Sequence, residues 1–228
     1  DLEFSSDGMR LFIVTRNSGD DDADGDKVFG FDLTSAYDVS TCTLASQTTD
    51  LDSDTYAAGS LAGTPTTEHR KHKVQGVEIN DDGTKLFLVW ADGVDDDVGA
   101  RLLEYTLSTP YDLTTLSLVT TAGIKFDGLG ASGSNENVQN PAGMRFSANG
   151  KRIFIISHND TNAAISQISF TNAFDSSSFN EDGFINLFTG LSVANRQPRG
   201  IAFNASGLKL YIGRDSDIGG ADNLMEYD

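Results

Sequence analysis

The chain has 228 residues, enough for one β-domain or two smaller ones, and 34 acidic against 16 basic residues leave it a formal net charge of −18. Nucleic acid and anionic membrane are disfavoured as partners, because both require a basic face to neutralise phosphate. Cys42 is the only cysteine, so no intramolecular disulfide forms, and no apolar run approaches the ~20 residues of a membrane-spanning helix.

The first element in the chain is a hairpin. "DLEFSSDGMRLFIV" (1–14) alternates, turns at Gly8 and continues as a second apolar run. An acidic loop, "NSGDDDADGD" (17–26), leads into "KVFGFDLTSAYDVST" (27–41), an alternating strand and a turn carrying a Tyr37–Asp38 pair. A further short stretch and a long insertion over 47–71 follow. The same order then returns with "GVEINDDGTKLFLV" (76–89), "ADGVDDDVGA" (91–100) and "RLLEYTLSTPYDLTT" (101–115), whose pair is Tyr111–Asp112. "LSLVTT" (116–121) and an insertion over 122–140 complete that copy. The third copy has "GMRFSANGKRIFII" (143–156), "SHNDTNAA" (157–164) and "AISQISFTNAFDSSS" (164–178), with Phe174–Asp175. The fourth has "GIAFNASGLKLYIG" (200–213), "GRDSDIGGADN" (213–223) and "NLMEYD" (223–228).

Each copy reads as four short antiparallel strands, A to D, and tandem copies of that kind predict an all-β fold, a β-propeller. Gly8, Gly83, Gly150 and Gly207 recur at the A–B turn, where a positive φ carries no Cβ penalty. Their spacing exceeds the roughly 40–50 residues of a minimal blade, so the excess lies in the B–C and D–A loops. The expectation is a single domain over 1–228 with units of about 1–75, 76–142, 143–199 and 200–228, the last incomplete. Such a chain reads as an incomplete piece of a larger propeller, or alternatively as a compact four-bladed one. It starts at Asp1 without Met or signal peptide, as a processed or partial chain does.

The hairpins resemble YVTN-type and TolB-like bacterial propeller repeats, whose core runs P-x-G-I-A-F-S-P-D-G-K-K-L-Y-V. "QPRGIAFNASGLKLYIG" (197–213) matches that pattern well, and "NPAGMRFSANGKRIFII" (140–156) follows it. "LSTPYDLTT" (107–115) looks like an element of propeller-like surface proteins of marine bacteria and their phages. The resemblance implies the fold; such propellers include scaffolds, receptors and a few hydrolases, so it carries no activity with it.

Strand direction alternates, so the B–C and D–A loops are expected on one face and the A–B and C–D turns on the other. Asp20, Asp22, Asp24 and Asp26, Asp95 and Asp97, and Asp215 and Asp217 would gather there. Crowded carboxylates repel one another, and a divalent cation reverses the sign of that term. Asp20, Asp22, Asp24 and Gly25 match the first half of a D-x-D-x-D-G calcium loop, although Val28 and Phe31 stand where further ligands belong. The expectation is a weak calcium site of ~0.1–1 mM, with a solvated acidic tip as the alternative. "EHRKHK" (68–73) opposes this charge; Arg70 and Lys71 either pair with the acidic loops or grip an anionic glycan. The aromatic–Asp pairs read as structural, the ring buried between blades and the Asp closing the C–D turn.

No catalytic constellation stands out. His69, His72 and His158 have no metal-ligand spacing, and "GASGS" (130–134) lacks a nucleophile-elbow order. A calcium-dependent lactonase or phosphatase-like propeller would use residues at the start of strand A, here Gln75, Asn140 and Gln197, with Glu3 and Glu78 further in; Arg145 and Ala202 replace that Glu in the later copies. The favoured reading is a non-catalytic extracellular, cell-surface or virion-surface module for adhesion, recognition or assembly. Long loops on a rigid scaffold suit it, and Tyr56, Phe126 and Asn135 are the candidate contacts for a protein or glycan. The net charge fits a salty exterior, where screening acts beyond roughly 8 Å.

Overall fold

The structure, a computed structural model, describes residues 1–15, 26–49, 51, 73–91, 100–119, 124–125, 141–158, 163–186, 197–215 and 223–228. Among them the first sheet runs β1 (Leu2–Phe4), β2 (Arg10–Thr15), β3 (Lys27–Leu33), β4 (Cys42–Gln47) in that order. The second holds β5 (Lys73–Ile79), β6 (Lys85–Ala91), β7 (Arg101–Leu107) and β8 (Leu116–Leu118), with β9 (Ile124–Lys125) also pairing with β7. In the third come β10 (Pro141–Phe146), β11 (Arg152–His158), β12 (Ala163–Phe170) and β13 (Phe179–Asn186). The fourth consists of β14 (Gln197–Phe203), β15 (Leu210–Asp215) and β16 (Asn223–Tyr227). All these pairings are antiparallel and, β7–β9 apart, join chain neighbours, the A–B–C–D meander of propeller blades. The chain divides into two compact units, Asp1–Lys125 with the first two sheets and Phe126–Asp228 with the last two.

Hydrophobic runs explain where the strands bury. Leu86 to Trp90 in β6 and Leu102, Leu103 and Tyr105 in β7 are all buried, as in strands covered on both faces. Leu86, Leu88, Trp90, Leu103 and Tyr105 share a core with Phe12, Val14 and Val28 of the first sheet. In the second unit Ile156, Ala163 and Ile165 pack with Ile201 and Ile212. Burying each large side chain contributes about 1.5–3 kcal/mol.

Each A–B turn is a four-residue loop closed by its glycine: Gly8, Gly83, Gly150 and Gly207 donate N–H to Ser5, Asn80, Ser147 and Asn204 O at 2.8–2.9 Å. Their φ values of 70, 71, 65 and 69° lie in the left-handed region, as the spacing predicts. Side chains complete the loop. Asp7 accepts from Met9 N–H at 2.9 Å, and Asp82 from Thr84 N–H at 3.0 Å and the Thr84 hydroxyl at 2.5 Å. Two residues after each glycine stands a cation, and three of these reach a carboxylate on strand C or beside it: Arg10 to Asp32, Lys85 to Glu104 and Lys209 to Glu226.

The C–D turns meet these loops. Tyr37, Tyr111 and Phe174 have positive φ (59, 63 and 52°), rare for residues with a Cβ, and donate N–H to Gly8, Gly83 and Gly150 O at 2.8–2.9 Å. Each ring lies directly over its glycine, so a Cβ there would overlap it. The next residue, Asp38, Asp112 or Asp175, caps a three-residue 3-10 turn by accepting the N–H of Ser40, Thr114 or Ser177. The Asp role matches expectation; the ring's differs between copies. Tyr37 is 60% exposed and lies across its own sheet's A–B turn, whereas Tyr111, over its own glycine in the same way, is also covered by Arg10 and Phe12 of the first sheet. Loop boundaries also differ. Residues 122–140 contain β9, a second piece of strand D, and Asp215 belongs to strand β15, where it faces Gln197.

Gly150→Ala combines left-handed strain with ring overlap and should cost about 2–4 kcal/mol, whereas Gly207→Ala, with open space around its Cβ, should cost about 1 kcal/mol; urea midpoints of the two variants compare them. The Thr84 hydroxyl and then the Thr84 N–H hold the Asp82 carboxyl below its ordinary value of 3.8. A depressed carboxyl stabilises the fold above that value and loses the contribution as pH falls through the lower folded one. Asp82→Ala should therefore narrow its stability gap to the parent as pH drops from about 6 to about 2, read by melting temperature.

Candidate functional site

Strand direction separates the two ends of each sheet. A–B and C–D turns share one end, as the glycine–aromatic contacts require. At the opposite end of the first unit, the strand starts that receive a B–C loop and a D–A insertion come together. Asp26 is the last residue before β3, and Val74 lies at the start of β5. The Asp26 carboxylate, 2% exposed, accepts Val74 N–H through Oδ2 at 2.7 Å, and its carbonyl accepts Leu51 N–H at 3.1 Å. Thr48 Oγ1 accepts Val28 N–H at 3.1 Å beside it, and Asp1 Oδ2 accepts Val77 N–H at 3.3 Å further along β5. Asp26 thus joins the end of one connection to both flanks of another, and its low-dielectric setting strengthens a charge-assisted bond.

Of the residues singled out for metal, Asp26 alone has its side chain among the described residues. Asp20, Asp22, Asp24, Asp95, Asp97 and Asp217 lie outside them, as do Tyr56, Arg70, Lys71, Phe126 and Asn135. Asp215 is placed by its backbone only, at the end of β15. Among the described residues no three His, Cys, Asp or Glu side chains form a metal-sized group.

The strand-A positions need realignment. Gln75 is the extra residue of a β-bulge between Val74 and Gly76, and the same irregularity recurs at Pro141/Gly143 and Pro198/Gly200. Gln75 therefore corresponds to Ala142 and Arg199, not to Asn140 and Gln197. Glu3, Glu78, Arg145 and Ala202 do correspond, each opposite the same position of strand B (Phe12, Phe87, Phe154 and Tyr211). Glu78 is buried at 5% exposure.

At the turn end of the second unit the sequence reading missed a cavity of about 500 Å³ between the A–B turns of the third and fourth sheets. Arg145, Arg152, Phe154, Phe203, Asn204 and Gly207 are among the residues that line it. The signal for it was the recurring Arg/Lys and Phe after the turn glycines, which reads as ordinary strand patterning until the rings are placed.

No family model and no curated protein matches the chain. Solved structures do. A protein from Lactobacillus plantarum aligns with a TM-score of 0.51 at 14% identity, over 98% of this chain and 55% of its own. A 6-phosphogluconolactonase candidate from Bacteroides fragilis aligns at 0.54 and 14%, over 99% and 65%. A GH43 β-1,3-galactosidase aligns at 0.55 and 10%, over 100% and 71%. The chain spans less than two thirds of the length of the first two. At these identities the likeness concerns the fold, an all-β propeller of antiparallel blades.

Asp26→Ala should destabilise the chain by about 1–3 kcal/mol, because it strands a buried Val74 N–H, while Asn, which keeps an acceptor oxygen, should cost clearly less. Chemical denaturation of both variants tests the ordering.

Proposed function

We propose that the chain is a non-catalytic propeller module for adhesion, recognition or assembly on a cell or virion surface, binding a protein or glycan through its loop-bearing end. The observation that supports this reading is the Asp26–Val74 bond, which roots the 16–25 loop and the 52–72 insertion at one point of a rigid scaffold. The first segment carries Asp20, Asp21, Asp22 and Asp24, and the second carries Arg70 and Lys71, so opposite charges spring from adjacent anchors. Asp20, Asp22 and Asp24 would hold Ca²⁺ weakly, with carbonyls and water filling the shell. Asp26 contributes differently: a carboxylate already bonded to Val74 N–H sets the loop's base.

A second reading is a calcium-dependent propeller hydrolase. The likeness to a 6-phosphogluconolactonase candidate and a galactosidase favours it, as does the buried Glu78 on β5, the first strand of its sheet. Arg145 and Ala202 at the corresponding positions weigh against a carboxylate-lined site.

At 10 mM Ca²⁺ a site of ~0.1–1 mM stabilises the fold by about 1–3 kcal/mol. The melting temperature should rise accordingly over a chelated sample, and replacing Asp20, Asp22 and Asp24 together by Asn should abolish the rise. Unchanged melting in the parent chain would remove the cation role. A glycan array alongside a lactone and phosphate-ester panel separates the two functions: retention without turnover is expected, and turnover lost in Glu78→Gln would establish the hydrolase instead.

A further inference from the structure

Three of the four A–B turns place an acidic or amide side chain directly before the turn glycine: Asp7–Gly8, Asp82–Gly83 and Asn149–Gly150. The side chain of such a pair lies within reach of the next main-chain nitrogen, and glycine, without a Cβ, leaves that nitrogen open to react. Asn149–Gly150 is the only Asn–Gly pair in the sequence. The two aspartates are poor electrophiles because they are ionised: the Ser5 hydroxyl holds the Asp7 carboxyl, and the Thr84 hydroxyl the Asp82 carboxyl, below the ordinary 3.8. An amide cannot ionise in that way, and the fold primes it. Asn149 Oδ1 accepts the Ser147 hydroxyl at 2.9 Å and Lys151 N–H at 3.0 Å, two donors placed where negative charge grows when Cγ is attacked. Asn149 is exposed, but the attacking atom beside it is withheld. Gly150 is buried at φ 65°, its N–H donates to Ser147 O at 2.8 Å and its carbonyl accepts Phe174 N–H at 2.8 Å. The Phe174 ring lies over it, backed by the Phe146 ring at 5.1 Å.

We propose that Asn149 is a gated deamidation site, silent while the clasp of the third sheet is closed and converted through a cyclic imide when it opens. Once Gly150 N–H leaves Ser147 O and gives its proton to a base, the nitrogen attacks Asn149 Cγ. A bond from Gly150 N to Cγ forms, the Cγ–Nδ2 bond breaks, and Nδ2 takes up a proton and leaves as ammonia. Water then opens the succinimide at either of its carbonyls, so the sequence consumes water, releases ammonia and changes no oxidation state. Opening at Cγ gives Asp, the residue that already fills this place at positions 7 and 82 and accepts the same kind of turn hydrogen bonds. That turn closes again. Opening at the main-chain carbonyl gives isoaspartate, which routes the backbone through the side-chain carbons. The added backbone atom breaks the four-residue closure, so the clasp does not reseat and the change is permanent. Either product adds a negative charge. Nothing in this chemistry depends on the cation or glycan reading of the other end.

The test incubates the 228-residue chain in mildly alkaline buffer below its melting temperature, beside a synthetic peptide of residues 145–154, "RFSANGKRIF". Mass spectrometry of proteolytic fragments follows the conversion of amide to acid. The peptide reports the ungated rate. Asn149 in the folded chain should convert at least about tenfold more slowly, because a reaction that needs opening follows the open population. Phe174→Ala should speed it several-fold, while Asn149→Asp should keep the parent's melting temperature and show no mass gain at this turn. Urea below the unfolding midpoint separates local opening from loss of the whole fold: in the parent chain, conversion should rise in step with hydrogen exchange at Phe174 N–H. Equal rates in peptide and folded chain overturn the gate, as does a rate that ignores both Phe174→Ala and the exchange at Phe174. A mass gain that persists in Asn149→Asp overturns the assignment to Asn149.

Discussion

The contact on which the described architecture depends joins two residues at positive φ. A glycine at the A–B turn and an aromatic at the C–D turn are linked by the aromatic's N–H to the glycine's carbonyl, with the ring laid over the glycine's Cα. Neither conformation is comfortable alone. A tyrosine or phenylalanine in the left-handed region carries strain of roughly 1–2 kcal/mol, and it persists because the surrounding contacts over-determine it. The hydrogen bond, the ring's burial of glycine surface and the Asp-capped 3-10 turn behind it offset that strain. The result ties strands A and B to strands C and D at one end of each complete sheet, so that four short strands behave as one body.

That clasp divides the labour between the two ends of the sheets. The turn end is short, closed by side-chain hydrogen bonds and repeated with little variation. The strand ends from which the longer connections depart are at the other end, where length is tolerated because a longer loop adds little closure entropy. Asp26 shows how the first unit makes that end firm. A buried charge normally destabilises, but one that receives a main-chain N–H across sheets organises the loops that leave it.

Much of the fold was legible in the chain because its signals are local. Alternation marked the strands, the glycines marked the turns, and the Asp after each aromatic marked a cap. The ring's seat over the turn glycine was not legible, since no periodicity states which way a tyrosine at positive φ will point. Gln75 was matched to Asn140 and Gln197 because a bulge inserts a residue that pattern alignment does not see. Asp26 looked like the fifth member of an acidic run, and only the neighbouring β5 distinguishes it from Asp20 to Asp24. The cavity beside Gly207 was not legible because Arg152 and Phe154 read as ordinary strand residues until the A–B turns of the third and fourth sheets are placed side by side.

Amide hydrogen exchange measures the clasp directly. The N–H groups of Tyr37, Tyr111 and Phe174 sit in short turns, where solvent-facing amides open easily. If the aromatic–glycine link holds each sheet together, these three amides exchange as slowly as the strand amides flanking them, and they lose protection together with those strands. Exchange at the rate of open loop amides, while the strands remain protected, would show that the turns are bystanders and that the sheets cohere without them.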